Sequence, residues 1–276
     1  MSGRTRLAAA LVAATFAGLT GVGLGAGNRA EHSTTAAVRD ARPASPAASE
    51  LASLPASPEP ALRIGSPERL PSSRFLSRWT IVRSQAVAYA RPSARSTVLA
   101  DLARSAPEGT PNALGVLGSR TGTDGRVWVQ VRLPVLPNGS VGWVRRSSLG
   151  PYQSVRTHLV VDRARLQATL YRDGRAVFAA PVGVGTAAWP TPAGEFTVRS
   201  ELTRYASPFY GPIAFGTTAR SAVLTDWPDG GFIGIHGTNE PELLPGRVSH
   251  GCIRLRNDDI LRIAKLMPVG TPVTVR

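Results

Sequence analysis

Ser249-His250-Gly251-Cys252-Ile253-Arg254-Leu255 sets the one cysteine of a 276-residue chain in a small polar turn that runs into alternating apolar and polar residues. Thirteen residues before Ser249, Ile235-His236-Gly237-Thr238 closes another apolar run. A thiolate is a strong nucleophile, and a nearby imidazole can take the thiol proton near neutral pH. An inert thiol filling a core is the common alternative, but polar Ser249 and His250 and the small Gly251 are poor company for a core filler. Zinc is a weaker reading, because one Cys and two His without a C-x-x-C pair leave the ligand set incomplete. Asp226 or Glu240 could be the fourth ligand, but no spacing favours either. The residues point to cysteine-based acyl transfer with no metal and no cofactor.

Outward from these motifs, residues 155–276 read mostly as strands. His158–Asp162 and Leu166–Tyr171 alternate or run apolar, and Arg172-Asp173-Gly174-Arg175 makes a D-G turn into Ala176–Ala180. Phe196–Val198, Gly231–Ile235 and Thr271–Val275 predict further strands. One helix is expected, with Asn257 as its cap and Asp258 to about Met267 as its body. Asp258 and Asp259 lie in its first turn, Pro268 and Gly270 stop it, and Ile260, Ile263, Ala264 and Met267 form its buried face. The fold class is therefore mainly β: a β-sandwich or barrel with one packed helix near the C-terminus.

Residues 75–153 make a second β-rich unit. Val127-Trp128-Val129-Gln130-Val131 alternates, Pro137-Asn138-Gly139 turns the chain, and Val141-Gly142-Trp143-Val144 resumes the strand pattern. This Trp-Val run, loop and Gly-Trp-Val run resembles a bacterial SH3-like barrel, which implies a binding or spacing module without catalytic residues. Trp128 and Trp143 are expected to pack rather than to present a ligand platform. Residues 31–72, rich in Ala, Pro and Ser, cannot bury enough apolar area to offset chain entropy and read as a disordered linker. Residues 1–30 carry Arg4 and Arg6 before an uncharged Leu7–Leu24 run, the pattern of a signal peptide or, uncleaved, a membrane anchor. Both place the body of the protein outside the cytoplasm, where a lone thiol is a liability unless it is used.

The net charge of +14 divides as +2 over residues 1–70, +8 over 71–154 and +4 over 155–276. Solvated surface arginine accounts for the basic middle unit, and an anionic wall polymer is the partner such a charge could attract; the charge alone decides nothing. Nucleic acid is not expected, since no helix-turn-helix, finger or interleaved aromatic-basic pattern occurs.

Four segments of residues 155–276 resemble, in order, the L,D-transpeptidase catalytic domain of the YkuD type. Thr191-Pro192-Ala193-Gly194-Glu195-Phe196 is similar to its T-P-x-G-x-F segment, and Ile235-His236-Gly237-Thr238 to its I-H-G-T strand end. Ser249–Leu255 resembles its S-H-G-C-I-R-L signature, and Gly270-Thr271-Pro272-Val273 its closing strand. The resemblance implies an exported enzyme acting on peptidoglycan stem peptides. Cys252 would form a thioester and release D-Ala from a tetrapeptide donor, and an amine of a second stem would resolve the thioester into a cross-link. It implies His236 as base, the Gly237 carbonyl as orienter of its ring, His250 as a further catalytic-site residue, and Gly251 and Cys252 N–H groups for the oxyanion. Ser249, Arg254 and Tyr210 are expected on the substrate, with Arg254 on a carboxylate. The aromatic Tyr205–Phe215 loop can cover the channel. Carbapenems are expected to acylate Cys252. Two other readings stand beside this one: an L,D-carboxypeptidase that uses water as acceptor, and a non-catalytic wall-binding protein.

Overall fold

The computed structural model describes residues 75–203, 208–224 and 231–276. The expected signal or anchor (1–30), the linker (31–72), the start of the aromatic loop at 205–207 and Asp226 lie outside the described residues. Among the described residues no helix is long and apolar enough to cross a membrane.

Two sheets follow one another along the chain. The first is built from β1 (Ser77–Ile81), β2 (Ala86–Tyr89), β3 (Val98–Leu102), β4 (Ala113–Thr121), β5 (Val127–Arg132), β6 (Val141–Arg145) and β7 (Gln153–Val155), in the order β3-β2-β6-β5-β4-β1-β7. β5 and β6 pair antiparallel with Gln130 opposite Trp143, as the alternation around Asn138-Gly139 predicts. Their connection is an eight-residue loop, not a two-residue turn. The core of this sheet is Val82, Ala88, Leu114, Val129, Val131 and Val144. Trp128 is fully buried, with Tyr89 edge-on at 5.6 Å, the Arg145 guanidinium 5.2 Å from its ring, and its indole N–H donating to Asp124 at 3.3 Å. It packs, as expected of it.

The second sheet comprises β8 (Thr157–Asp162), β9 (Gln167–Arg172), β10 (Arg175–Pro181), β11 (Gly183–Gly185), β12 (Gly194–Leu202), β13 (Ala214–Arg220), β14 (Phe232–His236), β15 (Gly246–Ser249), β16 (Ile253–Arg254) and β17 (Pro272–Val275). Its order is β10-β9-β8-β17-β12-β13-β14-β16-β11-β15. Asp173 and Gly174 both adopt positive φ in the turn between β9 and β10, with Arg175 opposite Arg172. The Asp-Gly pair therefore does what its residue types favour. The fold among the described residues is mainly β with one helix, α1 (Asn257–Ala264).

α1 differs from its sequence reading at both ends. The capping position falls on Arg256, and no side chain caps the helix. Asn257 is engaged elsewhere, since its Oδ1 accepts the Thr238 N–H at 2.9 Å. The helix stops at Ala264, although the Met267 N–H still donates to the Ile263 carbonyl at 2.9 Å. Ile260, Ile263 and Met267 are fully buried and join Phe196, Phe215, Ile235 and Ile253 in the core of the second sheet. Full burial of an aliphatic side chain contributes roughly 1.5–3 kcal/mol, so this short helix is held by packing rather than by its cap.

Candidate active site

Strand periodicity aims the reacting groups. Along β14 Ile235 enters the core, while Phe232, Gly234 and His236 share the opposite face. β16 runs parallel beside it, with Ile253 opposite Ile235 and Arg254 opposite His236. One step back along that ladder Cys252 comes beside Gly234, whose N–H donates to the thiol sulfur at 3.3 Å. A Cβ placed on Gly234 would lie 3.7 Å from His236 Cδ2 and 3.9 Å from Cys252 Sγ, so imidazole and thiol flank the same small space. The sequence shows Gly234 only as a strand residue; its role becomes visible once the two strands are paired.

His236 is buried, and its Nδ1 lies 2.6 Å from the Gly237 carbonyl oxygen. A carbonyl only accepts, so Nδ1 carries the hydrogen and Nε2 keeps a lone pair. The Tyr210 ring stands edge-on to the imidazole at 4.8 Å. Asn257 fixes the segment that follows: its Oδ1 holds the Thr238 N–H, and Gly211 and Gly237 stack so closely against it that a Cβ on either would collide with it. Sequence reasoning assigned Asn257 to the helix and missed this function.

The cysteine turn is braced by hydroxyl groups. Ser249 Oγ donates to the Cys252 carbonyl at 2.6 Å and accepts the Gly251 N–H at 3.1 Å. Ser249 faces the cavity, but its hydroxyl is already used as donor and acceptor, so it shapes the turn. The same bond occupies the Gly251 N–H, which can reach an oxyanion only by exchanging away from Ser249. Thr191 Oγ1 donates to the Gly251 carbonyl at 2.7 Å and accepts the Gly185 N–H at 2.8 Å. That threonine opens the T-P-x-G segment and ties it to the cysteine turn. Gly251 has φ +116°, and a Cβ there would come within 2.8 Å of Ile233 Cδ1. Gly251→Ala is expected to cost about 1–3 kcal/mol, measured as a shift of the denaturant midpoint; an unshifted midpoint would mean that the turn relaxes freely.

A cavity of about 360 Å³ opens over these groups, lined among others by Cys252, His236, Tyr210, Phe232, His250 and Arg254. That volume suits a small ligand or the end of a peptide. His250 is exposed, with its ring 4.3 Å from Trp189. Arg254 donates to Glu240 at 2.9 Å, with 13% of its side chain exposed, and its buried Nε has no partner among the described residues. Glu240, one of the carboxylates weighed for zinc, is thus engaged with Arg254. No three His, Cys, Asp or Glu residues converge as a metal site among the described residues. Arg256 donates to the Leu244 carbonyl at 3.2 Å and does not line the cavity.

Burial sets the resting charge. It pushes His236 down to about 4, against the Gly237 carbonyl, which favours the charged ring, and with the Arg254 charge adding to the fall. Burial pushes the Cys252 thiol up, against the pull of the Gly234 N–H and of Arg254. Both directions favour the neutral forms. Burial thus works against charging either group by itself. The arrangement can therefore transfer one proton as the sulfur attacks.

Residues 156–275 match the L,D-transpeptidase catalytic domain, YkuD. The protein YkuD of Bacillus subtilis is 34% identical over 125 residues, covering 45% of this chain and 68% of that protein. Its Bacillus licheniformis counterpart is 38% identical over 106 residues, covering 38% of this chain and 57% of its own length. A solved L,D-transpeptidase from Mycobacterium smegmatis overlaps 59% of this chain and 99% of its own, at 18% identity and a TM-score of 0.36.

Proposed function

This chain belongs to the L,D-transpeptidase family of the YkuD type, and from that membership we propose that it cross-links peptidoglycan stem peptides through a thioester on Cys252. The observation that carries the reading is the shared space over Gly234. There the thiol meets an imidazole whose tautomer is fixed by the Gly237 carbonyl. In acylation Sγ attacks the carbonyl between the third residue and D-Ala at position four, and the thiol proton passes to His236 Nε2. The C–N bond breaks as that proton is delivered to the leaving nitrogen, so D-Ala departs with an uncharged amine and His236 returns to its resting form. In the second half the acceptor amine gives a proton to Nε2 and attacks the thioester, and the proton returns to sulfur as the C–S bond breaks. The Cys252 N–H, with the Gly251 N–H once released from Ser249, supplies oxyanion donors. Removing such a donor typically costs about 3–4 kcal/mol of barrier.

Arg254 fits a substrate carboxylate, because Glu240 orients its guanidinium while the buried Nε stays unpartnered. Tyr210 holds the His236 ring and borders the entering peptide. His250 with Trp189 forms an exposed lip on which the donor can rest. The proposal extends to the rest of the chain: residues 1–30 as a signal or anchor, 31–72 as a tether, 75–153 as an SH3-like module for anionic wall polymers, and 155–276 as the catalytic domain outside the cytoplasm.

Incubating the full chain with a disaccharide-tetrapeptide and weighing the products tests this reading. Cross-linked dimers with released D-Ala are expected. Tripeptide without dimers would move the acceptor to water, and unchanged substrate with retained wall binding would overturn catalysis. A carbapenem is expected to add its full mass to the protein in a 1:1 adduct on Cys252 (about 10²-fold slower or more in His236→Gln, which lacks the base). An active enzyme that never labels would contradict the nucleophile.

A further inference from the structure

Arg199 is an unexpected residue for the middle of β12. Its side chain is only 2% exposed, and the carboxylate that compensates it comes from the other sheet's segment: Glu108, 8% exposed. Glu108 accepts from Arg199 Nε at 3.2 Å and from Nη2 at 2.9 and 2.7 Å, and Ser200 Oγ donates to it at 2.5 Å. Burial opposes ionisation of Glu108, but the Ser200 hydroxyl and the Arg199 charge together hold its carboxyl below the usual range. A buried ion pair contributes little net stability, because desolvation offsets most of the attraction; fixing a geometry is its better-attested use.

The geometry it fixes lies at the cavity. The Arg199 guanidinium stands 3.9 Å from the centre of the Phe232 ring, and that of Arg220 stands 4.8 Å from it. Phe232 lines the cavity and opens the strand that carries Gly234 and His236. A second side chain from the first sheet's segment reaches the same place. Asn138 Nδ2 donates to the Arg220 carbonyl at 2.7 Å, and its Oδ1 accepts the Arg220 N–H at 2.9 Å, as a neighbouring strand would. Ser221 follows directly. Its N–H donates to the Gly231 carbonyl at 2.8 Å, its Oγ accepts the Leu224 N–H at 3.0 Å, and Ser221, Leu224 and Gly231 all line the cavity.

We infer that the N-terminal β-unit is the supporting wall behind the lining of the catalytic cavity, with Glu108 and Asn138 as positioning residues that set the donor pocket through Arg199, Arg220, Phe232 and the Ser221–Leu224 segment. The unit therefore does more than bind or space. Other contacts already join the two sheets away from the cavity: Trp79 against Gly270, Gly115 against Thr197, and Arg132 donating to the Glu195 carbonyl at 3.3 Å. Cohesion alone does not require a buried charge and a paired amide to hold the two arginines, Arg199 and Arg220, whose guanidinium groups face one cavity residue.

The inference rests on the transpeptidase reading for its substrate but not for its test. Glu108→Gln and Asn138→Ala are compared with Arg132→Ala, a control that loosens the same interface without reaching the cavity. With tetrapeptide donor, the first two variants are expected to lower kcat/KM about tenfold, mainly through KM, and the control less than about twofold, at similar losses of Tm. Alkylation of Cys252 needs no wall chemistry and gives the second readout. The ratio of rates for N-phenylmaleimide over iodoacetamide is expected to shift severalfold in Glu108→Gln and Asn138→Ala and to stay put in Arg132→Ala. If no variant or wild type makes product but that ratio shifts as stated, the transpeptidase reading fails and the wall stands. If wild type is active and neither KM nor the ratio moves, or all three variants respond in proportion to Tm, the wall is overturned.

Discussion

Cys252→Ala is expected to abolish thioester formation and to lower cross-linking by about 10⁴-fold or more, the scale on which removing a covalent nucleophile acts. Among the described residues that line the cavity, both serine hydroxyls are already engaged. Ser249 Oγ is used as donor and acceptor within the turn, and Ser221 Oγ accepts the N–H groups of Val223 and Leu224. The fold should tolerate the change, because the sulfur's hydrogen bond within the protein is the one from the Gly234 N–H. Losing it costs about 1 kcal/mol. Intact-mass measurement during turnover and thermal unfolding check both halves. An adduct or a substantial residual rate in the alanine variant would place the nucleophile elsewhere.

His236→Ala should cost about 10²–10⁴-fold in kcat/KM, the usual worth of a positioned general base. The pH profile separates a base from a structural residue. With His236 pushed down to about 4 by burial, the ring is unprotonated throughout the neutral range. The acid limb of kcat/KM is therefore expected near pH 4, not near the 6.5 of a free imidazole. A limb at 6.5 would mean that the base is solvated during turnover. Stability carries the same signature. The unfolded chain binds a proton on this histidine below about 6.5 while the folded chain resists until about 4, so stability falls as pH drops through that window. The full effect is roughly 3 kcal/mol, and it levels off below pH 4. In His236→Ala this part of the acid sensitivity should vanish from denaturant titrations at pH 7 and pH 4.5. Equal slopes in both proteins would show that the ring is not held neutral by the fold.

The sequence showed much of the site because the motifs sit on strand ends, where type and spacing constrain geometry. A glycine beside a cysteine, a histidine closing an apolar run and a threonine opening T-P-x-G all kept their places, and the Asp-Gly turn formed with the expected backbone. Local pattern gave a weaker account of residues whose partners are distant. Asn257 read as a helix cap because the helix start is a local signal, yet its amide holds Thr238, nineteen residues away. Ser249, expected on the substrate, does line the cavity, but local pattern gave no sign that its hydroxyl also braces its own turn. Residue types alone suggested proton transfer from thiol to imidazole near neutral pH, whereas burial, which no spacing reports, pushes each group toward its neutral form.

By itself the sequence predicted a mainly β fold, singled out one thiol and one imidazole as the candidates for the chemistry, and carried the motifs of one family. Those are properties of residue type and short-range order, set by side-chain periodicity and backbone freedom. Only the tertiary structure decided that the thiol and the imidazole flank one space over Gly234 and that Glu108 and Asn138, from the first sheet's segment, hold Arg199, Ser200 and Arg220 behind the cavity. Strands β14 and β16 meet in parallel across a long connection, and Glu108 meets Arg199 across 91 residues. Such contacts depend on which surfaces exclude water together, and no local stretch of chain encodes that.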